Sequence, residues 1–277
     1  MNSSLTNSPL TTCLKDGRVW VAESPGITLP QVKESYSANF TERAPFKISA
    51  IDNELQGGGI QCGQLHEWFG ATAWGTSSWD TSRPPLTILA SLFGNLISNC
   101  TEERKGFSKV ILWIGKECWP SPYLLAQCHG SALFHNSLLQ SSLFIDPAGS
   151  ESRKWCFETA LRSPAVAAAV CYLKGVNLTL SRRFAIAAKM GGALGALIRP
   201  EKESGLASAA ATRWIVRSVR SPTPHPRWEL NLLKQKGKQP NRASWIIESH
   251  EEQKISLHIP SDVADQSRAE EKIKKSA

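Results

Sequence analysis

A glycine-rich stretch over residues 57–78 holds the residues whose spacing could support phosphate chemistry. Gly70 and Gly75 stand in the frame of a phosphate-binding loop, and Ser77 occupies its final hydroxyl position. Such a loop surrounds phosphates with backbone N–H groups and one lysine. The lysine position here is Thr76, so the positive charge is missing. We therefore interpret Gly70, Gly75, Thr76 and Ser77 as a degenerate nucleotide loop.

The chain after Gly75 also departs from a working phosphate loop. Several residues intervene before Pro84 and Pro85, and proline suits the first turn of a helix. We therefore expect the helix to begin some distance from Gly75, with Trp74 and Trp79 beside the space that phosphates need. Arg83 would replace the missing lysine charge only if it lay in the loop, and nothing in the sequence places it there. An ATPase with an unconventional loop stays an alternative.

A second candidate for chemistry is the pair His66 and Glu67, which resembles an acid/base pair. Adjacent residues of a strand face opposite sides, so at most one of the two can face the loop. This geometry favours a structural role for both. Metal binding is not indicated, since no CxxC or repeated Cys/His spacing occurs. We predict no metal site, no cofactor and no catalytic residue.

The charge of the chain is concentrated in one segment. Residues 153–242 contain 17 Lys and Arg against 4 Asp and Glu, whereas the whole chain has a net charge of +8. Such an excess indicates weak, non-specific DNA binding or an acidic partner surface. The alternatives are structural ion pairs and a solvated basic face. The candidate residues are Arg182, Arg183, Lys189, Arg213 and Arg217.

The strands and helices that the sequence predicts must position these residues. Buried strands are predicted at 65–69, 110–114, 143–145, 166–171 and 193–198, and amphipathic helices at 84–99, 123–129, 155–161 and 180–191. Residues 212–219 alternate like a strand, and 228–233 with 245–247 predict a hairpin. Strands alternating with helices indicate an α/β domain with a mainly parallel sheet.

The 277 residues divide into three predicted segments. Residues 1–44 form an irregular arm with a short strand at 18–21, residues 45–248 form the domain, and 249–277 form a charged flexible tail. Seven cysteines lack paired spacing and sit partly in apolar runs, where we expect buried thiols. No leader is apparent and no apolar run would span a bilayer, so we expect a cytoplasmic protein without membrane contact.

A series of short motifs in a fixed order resembles the ImuA family, which is related to RecA and SulA. The motifs cover residues 46–248 and read GQLHE (63–67), LWI (112–114), PY with a following leucine (122–125), LSRRF (180–184), LIRP (197–200), ATRW (211–214), PRWEL (226–230) and SWIIE (244–248). The resemblance implies a RecA-like three-layer sandwich with a degenerate P-loop. It also implies a non-catalytic accessory role in damage-induced (SOS) translesion DNA synthesis. The implied partners are an ImuB-like polymerase homologue and an error-prone replicative-type polymerase.

The sequence departs from an active recombinase at positions that matter for ATP hydrolysis. The strand predicted at 166–171 is followed by Tyr172, Leu173 and Lys174, where a magnesium-binding carboxylate would be needed. Glu117 lies close to the position of a catalytic glutamate, and we interpret it as a surface residue. The segment 200–208 is too short for a DNA-binding loop. A SulA-like cell-division inhibitor stays an alternative to the accessory role.

The sequence also suggests where a partner would bind. The hairpin from Arg227 onward ends the predicted sheet and offers an edge to another chain. Isolated apolar residues in the tail suit a segment that becomes ordered on binding. These residues are Ile255, Leu257, Ile259 and Ile273.

Overall fold

A computed structural model describes residues 19–21, 42–70, 85–103, 109–128, 138–238, 243–251 and 255–260. Gly75, Thr76 and Ser77 of the degenerate loop fall outside these residues. The strands are β1 (Val19–Val21), β2 (Arg43–Ala44), β3 (Ile60–Gln61), β4 (Leu65–Phe69), β5 (Val110–Ile114), β6 (Ser142–Ile145), β7 (Val166–Tyr172), β8 (Leu194–Arg199), β9 (Thr212–Val219), β10 (Arg227–Gln235), β11 (Ala243–Glu251) and β12 (Ile255–His258). The helices are α1 (Ser49–Asp52), α2 (Leu86–Glu103), α3 (Pro122–Gln127), α4 (Ser150–Arg162) and α5 (Leu178–Gly191).

One large sheet organises the described part of the chain. Its ten strands follow the order β1-β6-β5-β7-β8-β4-β9-β10-β11-β12, and β2 pairs separately with β3. The six strands in the run β6-β5-β7-β8-β4-β9 are parallel to one another. β10, β11 and β12 continue antiparallel, and β1 pairs antiparallel with β6 at the other edge. The predicted α/β class with a mainly parallel sheet is confirmed.

Helices cover both faces of the sheet and make it the middle of three layers. α2 and α3 pack on one face around Phe93 and Leu125, and α4 and α5 pack on the other around Phe157 and Phe184. β4 and β7 are buried along their whole length because they lie inside the sheet between these layers. This arrangement confirms the predicted sandwich.

The helix boundaries follow from local chemistry. The side chain of Asn177 accepts a hydrogen bond from the Leu180 N–H, which caps the start of α5. Gly192 ends α5 in a left-handed conformation with φ 75°. Ser121 caps α3 in the same way, and Pro122 occupies its first turn. The described part of α2 begins at Leu86, after the two prolines that predicted its start.

The predicted hairpin is present as β10 and β11, with Leu230 opposite Trp245. Beyond it the structure differs from the predicted tail. β11 continues to Glu251, and β12 pairs with it so that Ser249 lies opposite Leu257. Leu257 is buried and belongs to the core, because alternation along this short segment turns it inward despite the charged residues around it. Leu257 is therefore already ordered against the core, whereas the sequence suggested a segment that becomes ordered only on binding.

A group of tryptophans fixes the face of the sheet that α2 covers. Trp68 of β4 stacks on Trp214 of β9 with 5.5 Å between ring centroids and 11° between planes. Phe46 lies 5.5 Å from Trp214, and Trp245 of β11 lies 6.2 Å from it. Such aromatic pairs add stabilisation beyond the area that they bury. They join the parallel part of the sheet to its antiparallel extension.

Candidate functional site

Gly70, the first glycine of the degenerate loop, has a packing role. Its φ is 128°, and a Cβ atom at this position would lie 2.1 Å from the Val216 carbonyl oxygen of β9. No side chain can be accommodated against that backbone without movement. The glycine is therefore required where β4 passes β9, whether or not a nucleotide binds beyond it.

The end of β7 carries no acid. In the sheet β7 lies between β5 and β8, and its seven residues are all apolar or aromatic and all buried. The strand ends at Tyr172, whose pKa is raised mainly by burial. Metal-assisted phosphoryl transfer needs a carboxylate to hold magnesium beside the phosphates. The end of β7, where an active enzyme would need this carboxylate, has no acidic residue.

Glu117 is partly exposed at the surface, as the sequence suggested, and is paired with an arginine. It lies in a short 3₁₀ turn after β5, its side chain is 31% exposed, and Arg153 of α4 contacts its carboxylate at 3.2 Å. Gly115 makes room for the pair, since a Cβ atom there would lie about 3 Å from both side chains. Glu117 is thus bound to a neighbouring cation rather than free to orient a water molecule.

Glu67 is the centre of a buried ionic network. Its Oε1 accepts hydrogen bonds from Arg199 at 2.8 Å and from the Ser208 hydroxyl at 2.7 Å, and its Oε2 accepts one from Arg213 at 2.8 Å. Arg199 also donates to Glu203 at 2.9 Å. The network contains two carboxylates and two guanidinium groups, so its charges balance. A fixed, satisfied carboxylate of this kind holds structure together and does not act as a base.

The network extends to the loops that follow β7 and β8. Arg199 donates to the Val176 carbonyl at 2.7 Å, and Glu203 accepts from the Gly175 N–H at 2.9 Å. The Phe69 ring lies 4.9 Å from the Arg213 guanidinium carbon and 5.7 Å from that of Arg199. Cations over an aromatic face are attracted to it. One buried cluster therefore fixes the carboxyl ends of β4 and β8.

His66 faces the opposite side of β4, as the strand geometry predicts. Its Nε2 donates to the Gln61 carbonyl at 2.8 Å, so its Nδ1 carries no proton and accepts from the Thr212 hydroxyl at 2.8 Å. Thr212 in turn accepts from the Trp214 Nε1–H at 2.8 Å. Burial lowers the pKa of His66 to about 4. The imidazole is neutral at physiological pH and belongs to a structural chain of hydrogen bonds.

The family-like motifs meet in these two networks. GQLHE supplies His66 and Glu67, LIRP supplies Arg199, and ATRW supplies Thr212, Arg213 and Trp214. The same holds in the hairpin, where Arg227 of PRWEL is buried against Glu248 of SWIIE. The motifs thus mark residues that fix β4, β8, β9 and the hairpin together. Spacing alone could not reveal this, because the partners are far apart in sequence.

The five basic candidate residues fall into different environments. Arg213 is only 9% exposed and is committed to Glu67, so it is withdrawn from the candidate surface. Arg217 contacts Glu201 and Glu229. Arg183 contacts Glu158 at 2.6 Å. Arg182 and Lys189 are exposed on α5 and contact no acid among the described residues. These pairs were not visible in the sequence because the packing of helices, turns and strands brings the acids from other segments of the chain.

Other chemical groups in the described part of the chain are not arranged for reaction. Cys62, Cys118, Cys128 and Cys171 are buried, which confirms the sequence expectation for them. Burial raises the pKa of Cys128 to about 12 and that of Cys118 further, which keeps both as thiols. In the ranges that the structure covers, no three His, Cys, Asp or Glu side chains are placed to hold a metal ion. None of the described helices combines the length and apolar character needed to cross a membrane.

Known proteins resemble this chain in sequence and in structure. Protein ImuA of Caulobacter vibrioides, from strain NA1000 / CB15N and from strain ATCC 19089, is 26% identical over 223 residues, which are 74% of this chain and 83% of that protein. No protein-family model matches the chain. The crystal structure of the RadB recombinase matches with a TM-score of 0.54 at 11% identity, over 79% of this chain and all of that one. The fold is therefore RecA-like.

Proposed function

We propose that this protein is a non-catalytic, RecA-like accessory protein of damage-induced translesion DNA synthesis and a member of the ImuA family. The proposal rests on the 26% identity to Protein ImuA and on the RecA-like fold. The observation that carries it is where the family-like motifs lie. Their residues His66, Glu67, Arg199 and Arg213 form buried hydrogen bonds and ion pairs around β4.

The absence of catalysis is part of the proposal. Thr76 stands at the lysine position of the loop, β7 ends without an acid, and Glu117 is bound by Arg153. An ATPase needs a phosphate cradle, a metal ligand and a group that positions water. A packed domain that lacks these groups is best explained as a binding scaffold. The alternative ATPase requires substitutes that nothing in the described residues supplies.

The proposed partners are an ImuB-like polymerase homologue and, through it, an error-prone replicative-type polymerase. We place the contact with the first partner on the C-terminal edge of the sheet. β12 is the last strand in the sheet order, so one of its edges has no neighbouring strand among the described residues. An exposed strand edge offers a row of backbone N–H and C=O groups to an incoming chain. Leu257 anchors β12 to the core and keeps this edge in place.

Co-purification tests this assignment. The full chain is co-expressed with an ImuB-like homologue from the same genome, and two truncations separate the edge strand from the residues beyond it. Removal of 261–277 should preserve the complex, because β12 remains. Removal of 252–277 should abolish it while circular dichroism still reports a folded domain.

Other outcomes would count against the proposal. Full binding by the shorter protein would exclude the β12 edge, and failure of the full chain to co-purify with the ImuB-like homologue would exclude the proposed partnership. A SulA-like inhibitor would instead slow assembly of a purified tubulin-like division protein. That assay, run with the same protein, should show no effect.

A further inference from the structure

Two adjoining cavities form a cleft at the amino edge of the sheet, where β4, β8 and β9 begin. This is the edge opposite to the degenerate loop, which follows the end of β4. The cavities measure about 370 and 270 Å³. They share Gln61, Gln64, Ala211 and Lys236 as lining residues, so together they form one continuous cleft.

The cleft is lined by cations and by no carboxylate. Lys189 of α5 lies at one cavity, Arg43 at the other, and Lys236 at both. Neither lysine forms an ion pair within the ranges that the structure describes. Arg43 donates to the Gln56 carbonyl at 2.6 Å. Glu54, a nearby acid, is bound to Lys238 at 3.0 Å. Unbalanced cations beside a concave surface attract an anionic ligand.

The remaining lining suits a peptide better than a nucleic acid. The side-chain amides of Gln61 and Gln64 make no hydrogen bond to other described residues, and an amide can bond to a peptide main chain as both donor and acceptor. Ala185, Ala209 and Ala211 leave room for an extended segment. No Phe, Tyr or Trp side chain lines either cavity, and the imidazole of His66 at the second cavity is buried with both ring nitrogens hydrogen-bonded, so nucleobases would find no exposed surface for stacking.

The helix that carries Lys189 also exposes two apolar side chains outside the cavity lining. Ile186 and Met190 of α5 are 57% and 62% exposed, and Met190 lies 3.2 Å from Arg162 of α4. Side chains three or four residues apart share one face of a helix, which places these two beside each other. A segment that combines acidic residues with an apolar side chain would match both features.

We propose that this cleft binds an extended acidic peptide segment of a partner protein, with Lys189 and Lys236 pairing to its carboxylates. The site lies apart from the β12 edge, and it does not depend on the proposed role in DNA synthesis. Its test therefore needs no polymerase.

Fluorescence anisotropy at physiological salt provides the test. The probe is a short fluorescein-labelled peptide of alternating glutamate and leucine, and an oligothymidylate of equal net charge is the comparison. Lys189→Glu with Lys236→Glu should weaken peptide binding by about tenfold, because two attractive pairs become repulsive. The control Lys174→Glu with Lys202→Glu reverses two exposed lysines that line neither cavity, and it should change the affinity by less than about twofold.

A variant with unchanged net charge separates the effect of the cavity's shape from that of electrostatic attraction. Ala185→Phe fills the cavity beside Lys189 and should weaken the peptide without changing the affinity for the oligothymidylate. The proposal would be overturned if the test variant (Lys189→Glu with Lys236→Glu) and the control variant (Lys174→Glu with Lys202→Glu) lost the same amount of peptide affinity. It would also be overturned if the unmodified protein did not bind the peptide. If Lys189→Glu with Lys236→Glu lost affinity for the oligothymidylate but not for the peptide, the cleft would instead be assigned to nucleic acid.

Discussion

The carboxylate of Glu67 and the guanidinium of Arg199 lie 2.8 Å apart, and neither side chain has any exposed surface. Glu67 belongs to β4 and Arg199 ends β8, the neighbouring parallel strand. Arg213 from β9 completes the contact on the other side of β4. Three adjacent strands are thus joined through one carboxylate inside the protein.

Replacing Glu67 should destabilise the protein strongly. Glu67→Gln leaves two buried guanidinium groups facing a neutral amide, and removal of one partner from a buried ion pair costs about 3–5 kcal/mol. We expect a loss of that size in the free energy of unfolding, measured with urea. Glu151→Gln is the matched control, since Glu151 pairs with Lys154 at 2.6 Å while 87% exposed. The control should cost less than about 1 kcal/mol. Equal effects of the two substitutions would contradict the structural role of Glu67.

The stability of the protein should fall in mild acid because of His66. Its pKa is about 4 in the folded protein and about 6.5 in the unfolded chain. Between these pH values the unfolded chain takes up a proton that the folded protein refuses, so lowering the pH favours unfolding. The contribution amounts to about 3 kcal/mol between pH 6.5 and 4.

A comparison of variants isolates this contribution from that of the carboxylates. Unfolding free energies of the unmodified protein and of His66→Gln should converge as the pH falls, because only the former loses the imidazole contribution. If the unfolding free energy of His66→Gln depended on pH as steeply as that of the unmodified protein, another group would be responsible for the loss of stability in acid.

Much of the fold could be predicted from the sequence. The strands at 65–69 and 110–114 are confirmed with those limits, and α5 places Phe184 and Ala187 inward as its spacing predicts. These features depend on residues close together in the chain, whose periodicity is visible. The insertion of β4 between β8 and β9 depends on contacts between distant segments, and no local pattern reveals it.

The environments of the candidate residues were harder to predict. Arg213 and Arg217 share one face of an alternating strand, which suggested an exposed basic pair. Glu67 and Glu201 neutralise them from segments far away in sequence. The cleft at Lys236 was also missed, because its lining comes from several loops. Charge counted along a chain does not show which charges are already paired.

The purified protein should not hydrolyse ATP. Phosphate release should equal that of a blank, and Thr76→Lys should not create activity, since β7 still ends without a metal-binding acid. The measurement is steady-state phosphate release with magnesium present. Release that disappears in Gly75→Val would establish an active loop and contradict the proposal.

Binding to DNA should be weak, independent of sequence and sensitive to salt. Arg182 and Arg183 are exposed on α5, and phosphate contacts release counterions, so affinity should fall steeply from low to physiological salt. Arg182→Glu with Arg183→Glu should weaken binding of a labelled duplex several-fold at low salt. Lys174→Glu with Lys202→Glu, which has the same net charge, should weaken it less. Equal weakening would assign the affinity to overall charge alone.

The two outer strands of the described sheet, β1 and β12, come from segments far apart in sequence. β1 covers the edge at β6, and β12 covers the edge at β11. Any version of the protein that lacks either of these strands therefore uncovers the strand beside it, and uncovered strands promote aggregation. Affinity tags and fluorescent fusions at either terminus are attached through the segments that lead to these edges. An internal fusion at the exposed turn at Gly237, after β10, disturbs neither edge, but Gly237 also lines the proposed cleft, so such a fusion would block that site.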